Sequence, residues 1–467
     1  MRIVIVDDDS SWLKSKKGEI KMVHYKTLHI FFLILISIVF PETVCVAKAA
    51  NQPAAIIEVH DLPVLGDQST LADYLVYAGA NNPGLQAAFN MWQAALEKIP
   101  QARSLPDPKF TYGYFLREVE TRVGPQRQKF GISQMFPGSG KLAGRQNVAV
   151  QVAKVVEQRY QATLLKLFYT VKEAYYEYYY LARAITVTEE NVQLITYLEK
   201  VARARYQTGS AKHADIIRAQ VELGKLEDRL ETLRDLRAPV SARLNAALNS
   251  PAKTFIPWPQ QISEEVISFS DEQLLEQLSE LNPELKAMDY MAAKGKAAAL
   301  LARINDKPDV MVGLTLVDTD PAVMPVMSDS GKDPLVAMVS INLPFFRQDK
   351  YRAAKRQVEA QYLSAVNQRS NMENKLIARL KMVIYRFRDA ERKINLYRDT
   401  LVPKAKQAFE VTQKAFSTGK AGFLDLIDTQ RTLLQFQLSF ERALTNHAQR
   451  LGELEMLVAR ELTRAKK

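Results

Sequence analysis

One block of this chain occurs twice. Asn82-Pro83-Gly84-Leu85-Gln86-Ala87 returns as Asn282-Pro283-Glu284-Leu285-Lys286-Ala287, an offset of 200 (282 − 82). "PKFTYG" at 108–113 returns as "PDVMVG" at 308–313 with the same offset. Gly131-Ile132-Ser133 with Lys141 then aligns with Ser340-Ile341-Asn342 with Lys350 at 209 (341 − 132). Tyr206-Gln207-Thr208-Gly209 with Asp215 aligns with Phe416-Ser417-Thr418-Gly419 with Asp425 at 210 (419 − 209). Blocks matched in the same order mark an internal duplication, so both halves share one fold. The expected organisation is an upstream extension and signal peptide over 1–49, a first repeat over 50–250, a linker over 251–270 and a second repeat over 271–467. Pro251, Pro257, Trp258 and Pro259 break the helix in the linker. With the Lys/Arg-rich C-terminus, the linker is expected to form a belt outside the helices.

Each half reads as helix, strand, strand, long helix, tight turn, long helix. No proline interrupts residues 143–205, and apolar positions recur at Leu164, Leu167, Val171, Ala174 and Tyr178, the 3-4 spacing of a helix seam. At 1.5 Å per residue the stretch spans on the order of 90 Å, longer than globular helices run. The pattern resumes after Gly209 at Leu223, Leu226, Leu230, Leu233 and Leu236, and in the second half at Leu426, Leu433, Phe436, Phe440 and Leu444. Two coiled-coil hairpins are the expected result.

Four segments, 108–119, 127–136, 308–317 and 335–343, alternate with period two. Phe110, Tyr112 and Tyr114 share one face, as do Phe130, Ile132 and Phe136, and then Val310, Val312, Leu314 and Leu316. About 9–11 residues suffice for a tilted membrane strand. An open four-stranded sheet in lipid leaves edge amides unpaired, and closed membrane barrels begin at about eight strands. The chain is therefore expected to borrow strands from copies of itself. Three copies supply twelve, and composition alone also admits two or four.

Residues 28–40 form an apolar run too short for a transmembrane helix, and Ala47-Lys48-Ala49 has the form of a signal-peptidase site. Residues 1–21 read as an upstream start artefact, with Met22 the expected start. Cys45, the one cysteine, precedes the expected cleavage, which leaves the mature chain without thiol chemistry. Glu42-Thr43-Val44 before it match a lipidation signal poorly. The net charge of +11 is spread among nearly as many acids, with no basic run or aromatic-interleaved patch to suggest nucleic acid.

"SLPDPKFTYG" at 104–113, "FGISQMFPGSGKLAGR" at 130–145 and "RYQTGSAKHADIIRAQ" at 205–220 resemble the TolC-like outer-membrane efflux channels. The likeness extends over about residues 71–462. It implies a mainly α protein with a small membrane β part: helical hairpins forming an α-barrel, and four strands per chain completing a 12-stranded trimeric β-barrel. It also implies an outer-membrane channel reaching into the periplasm and docking on a periplasmic adaptor and an inner-membrane pump, with the resistance-nodulation-division type the mildly favoured kind of pump. Small molecules or ions are then expected to leave passively, through a gate at the periplasmic helical tip. By position, the resemblance places gate residues at Asp215, Asp425, Asp428 and Phe416. Three copies of each aspartate around one axis would draw cations. Where the best-known member has a locking arginine, this chain has Ala421, so the lock is absent or rebuilt from Lys420 or Arg218. Gly209, Ser210, Ala211, Gly419, Lys420 and Ala421 are the expected adaptor-docking residues; the glycines also suit a tight helical turn, and the aspartates also suit helix caps.

Other signals are weaker. Gly138-Ser139-Gly140-Lys141 is not a phosphate loop, since Met135 and Leu142 stand where a glycine and a Ser or Thr are required. The segment is expected to turn a strand into a helix. The five histidines lack metal-ligand spacing, the tyrosines at 175–180 suit helix contacts, and no catalytic constellation or cofactor is expected. The rival readings are a periplasmic coiled-coil adaptor or structural envelope protein, and an envelope-bound enzyme. The duplicated hairpin and lipid-facing strands disfavour the first, and the missing constellation disfavours the second.

Overall fold

The computed structural model describes residues 65–259, 262, 265–267, 269–323, 328–462 and 464–466. The expected signal peptide, cleavage site and Cys45 lie outside the described residues. The first half runs α1 (Leu71–Asn81), α2 (Pro83–Arg103), β1 (Lys109–Thr121), β2 (Gly124–Phe136), α3 (Lys141–Gln207), α4 (His213–Asp235) and α5 (Arg237–Leu248). After β3 (Glu265–Ile267) the second half repeats the order: α6 (Asp271–Leu281), α7 (Pro283–Ile304), β4 (Val310–Thr319), β5 (Leu335–Ile341), α8 (Gln348–Leu396), α9 (Val402–Ser417) and α10 (Phe423–Val458). A closing strand, β6 (Arg464–Lys466), pairs with β3 and so joins linker to C-terminus.

The duplication persists at the level of single hydrogen bonds. Asn82 caps α2, its Oδ1 accepting from Leu85 N at 3.1 Å, while Pro83 fills the first turn, where no N–H is needed. The Asn82 amide donates to the Ala247 carbonyl at 3.0 Å. Asn282 does the same, capping α7 through Leu285 N at 3.2 Å and donating to the Leu457 carbonyl at 2.8 Å. The partners are related by 210 (457 − 247). Tyr74, Ala78 and Leu85 are buried in one core, and Leu274, Leu278 and Leu285 occupy the equivalent places in another. A third core joins the ends of the two hairpins, uniting Ile195, Leu198 and Ala202 of α3 with Phe409, Phe416, Phe423 and Leu426 of α9 and α10.

At 67 residues, α3 is about 100 Å long. Its second-half counterpart, α8 with α9, is interrupted by a π-turn at Tyr397–Leu401, which ends two residues before Pro403. A π-turn absorbs one extra residue within a helix. The offset between halves rises by one along this stretch, from 209 at the helix start to 210 at its tip, so the insertion and the turn are the same event. The other step, from 200 to 209, falls between the paired strands: Arg122 and Val123 connect β1 to β2, whereas residues 320–334 connect β4 to β5.

The long helices are tied by ion pairs from α3 and α8 into α10. Lys172 meets Glu455 at 2.6 Å, Arg183 meets Glu441 at 2.9 Å, and Arg379 meets Glu453 at 2.8 Å. All three glutamates are buried, so each needs a paired cation, and Glu453 has a second in Arg450 at 2.5 Å. Burial beside Glu441 also pushes the Tyr179 phenol up to about 12. The linker lies on α3, where Tyr178, fully buried, stacks on Trp258 at 4.5 Å and donates to the Ile256 carbonyl at 2.9 Å.

Candidate functional site

Four of the strands form one antiparallel sheet in the order β1-β2-β4-β5, leaving β1 and β5 as edges. Register places Phe110 opposite Ile132, Ile132 opposite Leu314, and Leu314 opposite Ala337. One face therefore carries Phe110, Tyr112, Tyr114, Phe130, Ile132, Val312, Leu314 and Ile341. Phe110, Tyr112 and Tyr114 are more than half exposed there, and Leu116 is 93% exposed. A soluble sheet buries such a face, so lipid is its natural solvent. The opposite face presents Thr111, Lys129, Gly131, Ser133 and Thr315, with Val336 and Met338 beside them. Among the described residues no helix is long and apolar enough to cross a membrane.

Sheet and helices meet at a corner made by Gly138 to Lys141. Gly140 adopts a left-handed φ of 87°, and α3 begins at the next residue. The Lys141 side chain, 4% exposed, binds Asp309 at 2.8 Å, and the Gly138 amide donates to the same carboxylate at 2.7 Å. The segment thus turns strand into helix, as expected, and the lysine does more than follow a turn: it clamps the end of β2 to the start of β4.

At the far end of the helices each hairpin reverses through a glycine of positive φ, 70° at Gly209 and 75° at Gly419. The turns are superimposable in their bonds: Ser210 N donates to Arg205 O and Lys420 N to Ala415 O, both at 2.8 Å. Asp215 and Asp425 each lie in the first turn of the returning helix and accept the amide three residues earlier, from Lys212 at 3.3 Å and Gly422 at 3.0 Å. Asp215 also pairs with Arg218 at 3.3 Å. Asp428, one turn on, is exposed. It adds to a rise in the pKa of Arg431 that comes first from that residue's hydrogen bond to Glu222. Phe416 is buried: its ring meets Phe423 at 5.6 Å and lies under the Arg205 guanidinium at 4.6 Å. Ser210, Lys420 and Gly209 are exposed on the turns, while Ala211 and Ala421 are partly covered. An alanine Cβ at 209 would meet nothing within 4 Å.

Sequence reasoning missed Arg205. It donates to the Phe416 carbonyl of the second hairpin and, at 3.2 Å, to Ser210 O of its own. It joins the two tips of one chain, while Arg218 pairs with Asp215. A sign of it was present in the repeat, since position 415, its equivalent (205 + 210), is alanine. Among the described residues no cluster of His, Cys, Asp or Glu is arranged to hold a metal ion.

The family model described as "Outer membrane efflux protein" matches residues 75–250 and 274–460. The chain belongs to that family. It is an outer-membrane protein that extends into the periplasm, with the TolC-like combination of membrane strands and helical tunnel wall. The cobalt-zinc-cadmium resistance protein CzcC of Cupriavidus metallidurans is 24% identical over 404 residues, covering 84% of this chain and 90% of that protein. Among solved structures, the outer-membrane channel OprN shares the fold with a TM-score of 0.72 at 13% identity, covering 85% of this chain and 93% of its own. The open-state MtrE outer membrane channel of Neisseria gonorrhoeae gives 0.69 at 15% identity, covering 85% and 90%.

Proposed function

We propose that three copies of this efflux protein close a twelve-stranded barrel continuous with a helical tunnel. Small molecules or ions leave passively through this conduit, and the hairpin tips gate it. The observation that carries the reading is the open sheet, with two unpaired edges and one exposed, mainly apolar face, mounted on helices about 100 Å long. Such a sheet satisfies its amides in lipid only by closing with other strands. The helices point the same way, since Tyr197, Leu363, Tyr385 and Val411 are more than half exposed on a single chain and need a neighbour to cover them.

Asp215, Asp425 and Asp428 form the acidic part of the gate, brought round one axis by the three copies, with Phe416 holding the second tip beneath them. Gly209, Ser210, Ala211, Gly419, Lys420 and Ala421 form the docking surface for a periplasmic adaptor, whose helical tips approach closely over small residues. An inner-membrane pump of the resistance-nodulation-division type completes the system. The name of the CzcC relative favours divalent metal cations as cargo. Protein extracted from outer membranes in mild detergent is expected to have the mass of three chains and to conduct ions in a planar bilayer. A non-conducting monomer overturns the reading, and conduction without metal sensitivity in a deletion strain overturns only the cargo.

A further inference from the structure

The duplication fixes how neighbouring copies pair, an inference that rests on the proposed closure by copies of this chain. The two hairpins test the arithmetic first. Phe110 pairs with Ile132 in the first. Adding 200 to the first strand and 209 to the second gives 310 and 341, and Val310 does pair with Ile341. Tyr112 with Phe130 becomes Val312 with Val339, and Tyr114 with Gln128 becomes Leu314 with Ala337, both observed pairs. The repeat offsets therefore transfer strand registers without slippage.

The chain contains one seam between repeats, where β2 meets β4, with Ile132 opposite Leu314 and Gln134 opposite Val312. The seam between copies joins the equivalent strands, β5 of one and β1 of the next. We infer that these edges pair antiparallel with Ile341 opposite Tyr114 of the next copy and Leu343 opposite its Tyr112 (132 + 209 with 314 − 200; 134 + 209 with 312 − 200).

Face chemistry agrees. This register sets Ile341 and Leu343 beside two tyrosines on the lipid side, whereas a slip of one residue would turn the Lys129 face outward. Slips of two also keep the faces, and only the repeat excludes them. Strand lengths bound the seam. β2 runs on to Phe136, paired with β4, whereas β5 stops at Ile341, the equivalent of Ile132. Only Asn342 and Leu343 are left to extend β5 along another copy, because Pro344–Arg347 form a 3-10 turn.

Four cysteine substitutions, combined in pairs on a Cys45→Ser background, test the register. Tyr114→Cys with Ile341→Cys, and Tyr112→Cys with Leu343→Cys, place Cα atoms within disulfide range. The crossed pairs, Tyr112→Cys with Ile341→Cys and Tyr114→Cys with Leu343→Cys, stand about 8 Å apart, beyond bridging. Oxidation in outer membranes and a non-reducing gel should give covalent trimers for the matched pairs, at least tenfold more than for the crossed pairs. Each substitution serves once in each class, so a folding defect cannot imitate the pattern. Crossed pairs linking equally well overturn the register. No linkage in protein whose detergent-extracted mass is three chains overturns the seam but leaves the trimer standing. The mass of a single chain removes both.

Discussion

Arg205→Ala tests whether the two hairpin tips of one chain move as a unit. Two contacts of Arg205 cross between the tips: its guanidinium lies 4.6 Å from the centre of the Phe416 ring and donates to the Phe416 carbonyl. A partly exposed cation over a buried ring contributes about 1 kcal/mol. A hydrogen bond from a charged donor contributes about 1.5–3 kcal/mol, here at a helix C-terminus whose dipole favours a cation. Screening at a half-exposed tip brings the total to about 2–3 kcal/mol. That is roughly a 30- to 150-fold shift in the equilibrium between joined and separated tips. Hydrogen exchange read by mass spectrometry over 206–222 and 416–430 should therefore show protection falling by that factor, with the strands unaffected. Arg205→Lys keeps the charge but loses the planar stack and the fork, so it should fall in between. Tip protection within threefold of the parent in the alanine variant would refute the clamp.

Three further perturbations probe other levels of the structure. Asp309→Asn strands Lys141 in a site where its side chain is 4% exposed. Breaking a buried pair costs about 3–5 kcal/mol, and the partial exposure of Asp309 argues for the lower end; urea titration in detergent measures it, and adding Lys141→Met should restore most of the loss. Tyr178→Phe removes the bond to Ile256 O, about 1–2 kcal/mol for a buried hydroxyl, and should expose the linker to trypsin at Lys253, with unchanged cleavage counting against the anchoring role. Replacing Asp425 and Asp428 together with Ala should raise single-channel conductance or weaken cation preference. No change in either removes both residues from the gate.

The features legible in the sequence were those that repeat. The Asn-Pro blocks become paired helix caps, the period-two segments become strands with their apolar residues on one face, and the glycines of the two turns take positive φ. Even the small drifts in offset had meaning, nine residues for the longer connection from β4 to β5 and one for the π-turn at Tyr397–Leu401. What could not be read depends on residues far apart in the chain. Glu441, Glu453 and Glu455 look like solvated helix charges until α3 and α8 bring Arg183, Arg379 and Lys172 to them. Phe416, placed at the gate by resemblance, is buried between Phe423 and Arg205 because the second tip folds against the first. Asp215 and Asp425 hold their own helix starts, which leaves their carboxylates shared between capping and any charge they present to the axis.

The halves differ most informatively at the corner between strand and helix. Within a chain, Lys141 and Asp309 clamp the seam between repeats. Carried across to the seam between copies, the same positions become Lys350 and Lys109 (141 + 209; 309 − 200), two cations where the first seam has a pair. Both lysines are exposed in the single chain. Closure between copies then relies on backbone pairing and lipid-facing side chains, opposed by like charges. Lys109→Asp should supply the missing carboxylate to Lys350 of the neighbouring copy. A new pair of this kind contributes about 1 kcal/mol, and a threefold assembly gains it at each of its three seams. The temperature at which detergent-solubilised trimers fall to monomers on a gel should rise, while Lys109→Asp with Lys350→Asp should abolish the gain by setting two acids together. Lys109→Gln separates lost repulsion from a formed pair and should give a smaller rise. If Lys109→Asp dissociates no later than Lys109→Gln, the two corners are not equivalent.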